Sequence, residues 1–463
     1  MSLRSRLAVV TGGALAAAAL APCAAHAHGI VQRTSLPIPE VVFAWAAAIV
    51  LVASFAALAV LWPGPRLQQP AWWPLPAGLG RVLGSTAVHV LCAAIGVALL
   101  AIVIVAGYEG GGSALDNLAP TFILIDFWVG LAFASVLFGD LFRVFSPWRA
   151  LRLPGIRPYP ERLGRYPAVL ALLGFTWVEL VSGWGAAPTD LTTAAVVYTV
   201  YTLAMQAIFG TETWSRNGEA FAVYFNLFSR LSVWETRERV VGLRPPLGGL
   251  PRLEPAPGTV LFVTVMIGTV TFDGLSQGSL WNDLSVELAG ALEGLVGLDA
   301  APKVVGTLGL ALGVVLVGAF YRLGIDGVRS VGGDVEAAEL RRAFIHTLVP
   351  IALVYVAAHY LTLVLFEAQA TFYLASDPFG RGSDLFGTAS RAIDYGYISQ
   401  NAIWYVQVTF VVAGHIAALT LAHDRALALY RDPGLAVRSQ YWMLTVMVGF
   451  TLLALWLLSQ ATA

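Results

Sequence analysis

Ten stretches of this chain run for about twenty residues with scarcely a charge, at 40–62, 82–107, 118–139, 168–186, 191–210, 258–275, 303–323, 343–366, 400–422 and 441–460. A helix of that length crosses about 30 Å of hydrocarbon. Inside a bilayer the backbone has no water to bond, so each stretch must close its own hydrogen bonds as a helix. The pattern predicts an all-α fold, a polytopic transmembrane helix bundle with about ten spans. Composition agrees, since 58 % of the 463 residues are hydrophobic and only 12 % charged, against about 25 % charged in a soluble domain. The lipid bilayer is therefore the first expected partner. The 27 basic and 28 acidic residues nearly cancel, which leaves no global field to attract nucleic acid.

Arg4 and Arg6 precede the apolar run from Leu7 to Ala21, and Ala25-His26-Ala27 closes the segment. A basic start, a short apolar core and small residues at a cleavage point predict a signal peptide over 1–27. Residues 28–463 then form a single transmembrane domain. Pro22 makes a poor lipoprotein site of Cys23, which leaves with the signal. Cys92 remains alone, with no intrachain disulfide. An outward N-terminus puts the loops that start at 63, 140, 211, 324 and 423 in the cytoplasm. Two of the 27 basic residues belong to the signal and 21 lie in or beside those loops. Only Arg33, Lys303, Arg381 and Arg391 lie on the other side. Such a bias sets orientation, so a plasma-membrane location with both mature termini outward is expected.

Three outer loops have content. Tyr108 to Asn117 is a Gly-rich turn. Leu280, Leu284, Leu288 and Leu292, with acidic residues between, predict an amphipathic helix lying on the outer surface. Residues 367–399, with the turn signal Asp377-Pro378-Phe379-Gly380, are read as a connector or a lid. On the inner side an echo links Asp140-Leu141-Phe142 and Trp148 with Asn226-Leu227-Phe228 and Trp234, 86 residues on. It reads either as two interfacial segments with similar anchoring needs or as a parallel structural repeat.

Ionisable residues inside a span are costly, about 2.5–3.5 kcal/mol each at the centre on insertion scales, and so mark candidate sites. Asp126, Glu179 and His359 fall about 10–20 Å below the outer surface. Together they could hold a divalent transition metal, relay protons or position a water. Tyr355 and Thr362 share the face of His359. Asp273, in Thr271-Phe272-Asp273-Gly274, is a fourth catalytic candidate near the outer mouth. The competing reading is that each is satisfied locally by a hydroxyl or a carbonyl. His89 and His415 are a weak haem pair, because no second pair repeats at helical spacing. His346, His423 and Asp424 are expected to be solvated at the inner interface. His28 as a new N-terminus, and the pair His26 and His28, give only weak metal signals. Nucleotide-loop, nucleophile-elbow and zinc-protease motifs are missing.

The segments His28-Gly29-Ile30, Pro37-Ile38-Pro39, Ser146-Pro147-Trp148-Arg149, Asn226-Leu227-Phe228-Ser229-Arg230-Leu231-Ser232, Thr271-Phe272-Asp273-Gly274, Asp377-Pro378-Phe379-Gly380 and Asp384-Leu385-Phe386-Gly387-Thr388 carry a resemblance. They spread over most of the chain, which resembles bacterial, largely actinobacterial, polytopic membrane proteins labelled fenitrothion hydrolase. The resemblance implies a bacterial plasma membrane and attack of activated water on an organophosphate triester. That chemistry calls for metal ions, for which Asp126, Glu179, His359 and Asp273 are the available ligands. Two other readings stand beside it. One is a small-molecule or ion permease with an intramembrane carboxylate relay through Asp126 and Glu179. The other is a structural subunit working with further membrane subunits.

Overall fold

The computed structural model describes residues 40–238, 240–331, 335–430 and 432–460. The expected signal peptide, with His26 and His28, lies outside the described residues. Helix α1 (Glu40–Leu61) leads to strand β1 (Trp73–Pro74), the short α2 (Ala77–Leu83) and α3 (Thr86–Glu109). Then come α4 (Leu118–Phe138), α5 (Leu141–Phe145), α6 (Tyr166–Leu180), α7 (Pro188–Phe209), α8 (Thr211–Asn217) and α9 (Ala220–Ser229). Strands β2 (Trp234–Arg237) and β3 (Val240–Leu243) precede α10 (Thr259–Ser276), α11 (Ser279–Val296) and α12 (Ala301–Ser330). The chain closes with α13 (Ala337–His359), α14 (Leu361–Ser376), α15 (Gln400–Leu429) and α16 (Pro433–Gln460). Side-chain oxygens of Ser85, Asn117 and Ser399 accept from the first free N–H groups of α3, α4 and α15, where a helix leaves donors without partners.

Among the described residues nine helices are long and apolar enough to cross a membrane: α1, α2 with α3, α4, α7, α10, α12, α13, α15 and α16. The expected all-α bundle is therefore what forms. The fourth expected span is the shorter α6, whose 15 residues cover about 22 Å. It runs parallel to α10. Arg165 at its start donates to Thr259 at the start of α10, and Glu179 near its end acts electrostatically on Asp273 near the end of α10.

Helix α10 is the centre of the bundle, with 78 % of its apolar window buried against 17 % for α1 at the periphery. It packs on α6, α12, α13 and α16. Gly268 of α10 and Gly313 of α12 make the tightest of these crossings. A Cβ on Gly268 would sit 2.5 Å from Val314 Cα, and one on Gly313 2.5 Å from Gly268 O. Small residues let backbones approach this closely, which is how helices gain contact where lipid removes the hydrophobic incentive.

Residues 211–229, read from sequence as part of a cytoplasmic loop, enter the bundle. Glu212 at the start of α8 pairs with Arg149 at the arginine-rich end. At the turn between α8 and α9, Glu219 accepts from Tyr198, halfway along α7. Phe221 then packs on Phe127 of α4 and Phe175 of α6. Helix α9 returns to Arg230 and Ser232 beside the buried Arg244. The pair α8–α9 is a re-entrant hairpin. Its helices, of 7 and 10 residues, are too short to register as spans.

A three-stranded antiparallel ribbon of order β1-β3-β2 covers the arginine-rich end. Helix α11 forms where the leucine spacing places it, and none of its residues is buried.

Candidate functional site

The site is built where α13 stops. His359 is its last residue, and the backbone turns at Tyr360 (φ −92°, ψ 12°) before α14 resumes. Across from the break, the last turns of α10 present Asp273, which is wholly buried. His359 Nε2 lies 2.8 Å from Asp273 Oδ2, and Tyr360 Oη donates to the same oxygen at 2.8 Å. Glu179 of α6 is the second carboxylate. Its Oε2 is buried without a hydrogen-bond partner, and its charge acts on Asp273, Tyr360 and Tyr224. Tyr224 of the re-entrant hairpin stacks on Trp128 of α4, with ring centroids 4.3 Å apart, and its hydroxyl is buried and unpaired. Four helices and a hairpin thus bring two carboxylates, an imidazole and two phenols together about 20 Å from the arginine-rich end.

The other face of His359 lines a cavity of about 30 Å³ with Val270, Thr271, Gly274 and Tyr355. A water needs about 10–15 Å³ of such space, so this one has room for water against the imidazole. His359 keeps 13 % of its side chain exposed while Asp273 keeps none.

Of the four candidates from sequence, Glu179, Asp273 and His359 converge and Asp126 does not. Asp126 lies on a ten-residue π-helical stretch of α4, Thr121–Gly130, and accepts a hydrogen bond from Thr371 of α14 at 2.8 Å. This is the local satisfaction weighed above. Among the described residues no three His, Cys, Asp or Glu side chains are placed to hold a metal ion. The set Asp126, Glu179 and His359, expected from its depth in the membrane to hold a divalent metal, is thus not brought together among the described residues. His89 is on α3, which packs on α7, while His415 is on α15, which packs on α13 and α16. His415 Nδ1 meets the Val411 carbonyl at 2.7 Å.

His346, His423 and Asp424 are not solvated. All three are at most 2 % exposed. Asp424 is held by Trp62, Gln68 and the backbone N–H groups of Arg66 and Leu67. His423 bridges the Trp62 carbonyl and Gln440. The expectation failed because the chain after α1 folds back over the end of α15. The internal echo also has an unexpected geometry. Asn226 Nδ2 donates to Asp140 Oδ2 at 2.8 Å, so its two copies touch. Asp140 caps α5 from outside, however, while Asn226 lies within α9. The shared letters adopt different backbones.

Sequence reasoning missed Tyr360, Tyr224 and Glu219. Only Tyr360 had a signal, as the immediate neighbour of His359. The chain matches no family model, no curated protein and no solved structure.

Proposed function

We propose that this multi-pass membrane protein is a proton-coupled carrier in which Asp273 and His359 take up and release the coupling proton. The observation that carries the reading is the position of that pair at the break between α13 and α14. Carriers of this type place their sites at interrupted helices. A proton added to the pair changes its charge by one where water is largely excluded and charges interact strongly. Tyr360 registers that change directly, because it donates to the carboxylate oxygen that also faces His359. The hydrogen bonds that read the proton also fix the chain at the junction, so protonation is coupled to the angle between the two helix segments. Glu179 adds a second carboxylate through which a proton can pass to the hairpin, where Tyr224 waits with a free hydroxyl.

The test is proton flux into vesicles that contain the purified chain and an internal pH dye, driven by an imposed pH gradient and membrane potential. Wild type should acidify the lumen. Asp273→Asn and His359→Gln should each slow acidification at least about a hundredfold, the loss typical of one proton-transfer group. Asp126→Asn should stay close to wild type. Equal flux through wild type and Asp273→Asn would sink the reading and leave a structural role for the cluster.

A further inference from the structure

A second cavity, unrelated to the proton site, opens at the arginine-rich end between the re-entrant hairpin and the first turns of α6 and α10. It encloses about 960 Å³, against about 300–1,000 Å³ for pockets that hold small organic ligands. Six arginines line it against four carboxylates. Two of those carboxylates are already engaged. Glu212 pairs with Arg149 and Arg143, and Asp140 accepts from Asn226. Arg252 is drawn away to Glu235.

Arg165, Arg216 and Arg230 remain against Glu161 and Glu254, and none of the three makes an ion pair among the described residues; Arg230 donates to Asn226 Oδ1 and the Gly249 carbonyl. Arg165 is only 7 % exposed; it donates to Thr259 Oγ1 at 3.0 Å, and its Nε is buried with no partner. Burial and the neighbouring charge of Arg230 push its guanidinium down to about 10, although Glu254 opposes them. Ser215, on the hairpin wall, has a buried hydroxyl with no partner either. Two helices, α6 and α10, begin at this wall, so their positive dipole ends face the same space. Each of these features raises the cost of leaving the cavity without an anion.

We infer that the cavity binds an anionic phosphate ester, with Arg165, Arg230 and Ser215 as its donors. The unpartnered Arg165 Nε and Ser215 hydroxyl and the remaining N–H groups of Arg230, whose Nε and Nη1 donate to Asn226 and Gly249, come from separate walls. The three or more oxygens of a phosphoryl group meet such spread donors better than the two oxygens of one planar carboxylate. The volume exceeds what inorganic phosphate would fill and leaves room for the organic part. The ester is either the headgroup of an anionic lipid or a soluble metabolite, both of which present the same phosphoryl oxygens. The site lies about 20 Å from Asp273 and stands whether or not the cluster there moves protons.

The experiment uses the full chain in non-ionic detergent with two probes. Glycerol 3-phosphate is titrated while thermal unfolding is followed by tryptophan fluorescence, and retained phosphatidylglycerol is counted by native mass spectrometry. Saturable protection by glycerol 3-phosphate identifies a soluble ester; retention of the lipid without such protection identifies a headgroup. In either case Arg165→Gln should bind about 10- to 100-fold more weakly, as expected for loss of a charged hydrogen bond, and Arg165→Lys should keep most of the affinity. If Arg165→Gln does not fold, Arg230→Gln carries the same expectation. Neither probe binding wild type, or the folded glutamine variants binding as tightly as wild type, overturns the inference.

Discussion

At Asp424 four donors from the segment after α1 converge on one carboxylate inside the last turns of α15. Asp424→Ala would leave all four without their acceptor. The variant should lose about 3 kcal/mol or more of stability, read as a lower unfolding temperature in detergent, with proton flux per folded molecule unchanged. Glu235 gives a prediction that depends on pH. Burial pushes its carboxyl up, but hydrogen bonds from Arg252 and Arg237 and the charge of Arg244 outweigh that effect and hold it below the ordinary carboxylate range. A depressed folded value means that the ion pairs stabilise fully at neutral pH and are lost as pH falls through that value. Glu235→Gln should therefore unfold at a lower temperature than wild type at pH 7, and the gap should close as pH drops below about 4. A gap that persisted in acid would show that the carboxylate's charge contributes nothing there.

At the scale of elements, the spans were legible because each is a long apolar run whose only solution in lipid is a helix. Glu179, Asp273 and His359 were legible as costly residues within such runs. Their pairing was not, since Asp273 and His359 sit on different helices and nothing in a hydropathy pattern says which faces meet. Asp126 carried the same signal as Asp273, yet its partner is one threonine. The hairpin α8–α9 was hidden by its length, and the ribbon by strands of only two to four residues. The crossing of α10 and α12 gives the element-level test. Gly268→Ala puts a methyl against the backbone of Val314 and should cost about 2 kcal/mol. Gly318→Ala on α12, where nothing lies within 4 Å, should be neutral or slightly stabilising. Thermal unfolding of the two variants distinguishes a close-packed crossing from a merely glycine-rich one.

For the whole molecule, the arginine-rich end and the Asp273–His359 cluster occupy opposite depths of one bundle, joined by α6 and α10 running side by side. The hairpin adds a consequence for how the chain is assembled. Its 19 residues from Thr211 to Ser229 enter and leave by the same face, so no step of translocation can place them. Their expected order of assembly is therefore late, after α4, α6 and α7 are in the bilayer and present the aromatic faces on which the hairpin packs. Only then do Phe221, Tyr224 and Phe225 find Phe127, Trp128 and Phe142, and only then is Glu219 received by Tyr198. Insertion and completion are thus separate events for this protein. A chain whose other segments are all threaded correctly still lacks one wall of its lower cavity until the hairpin docks.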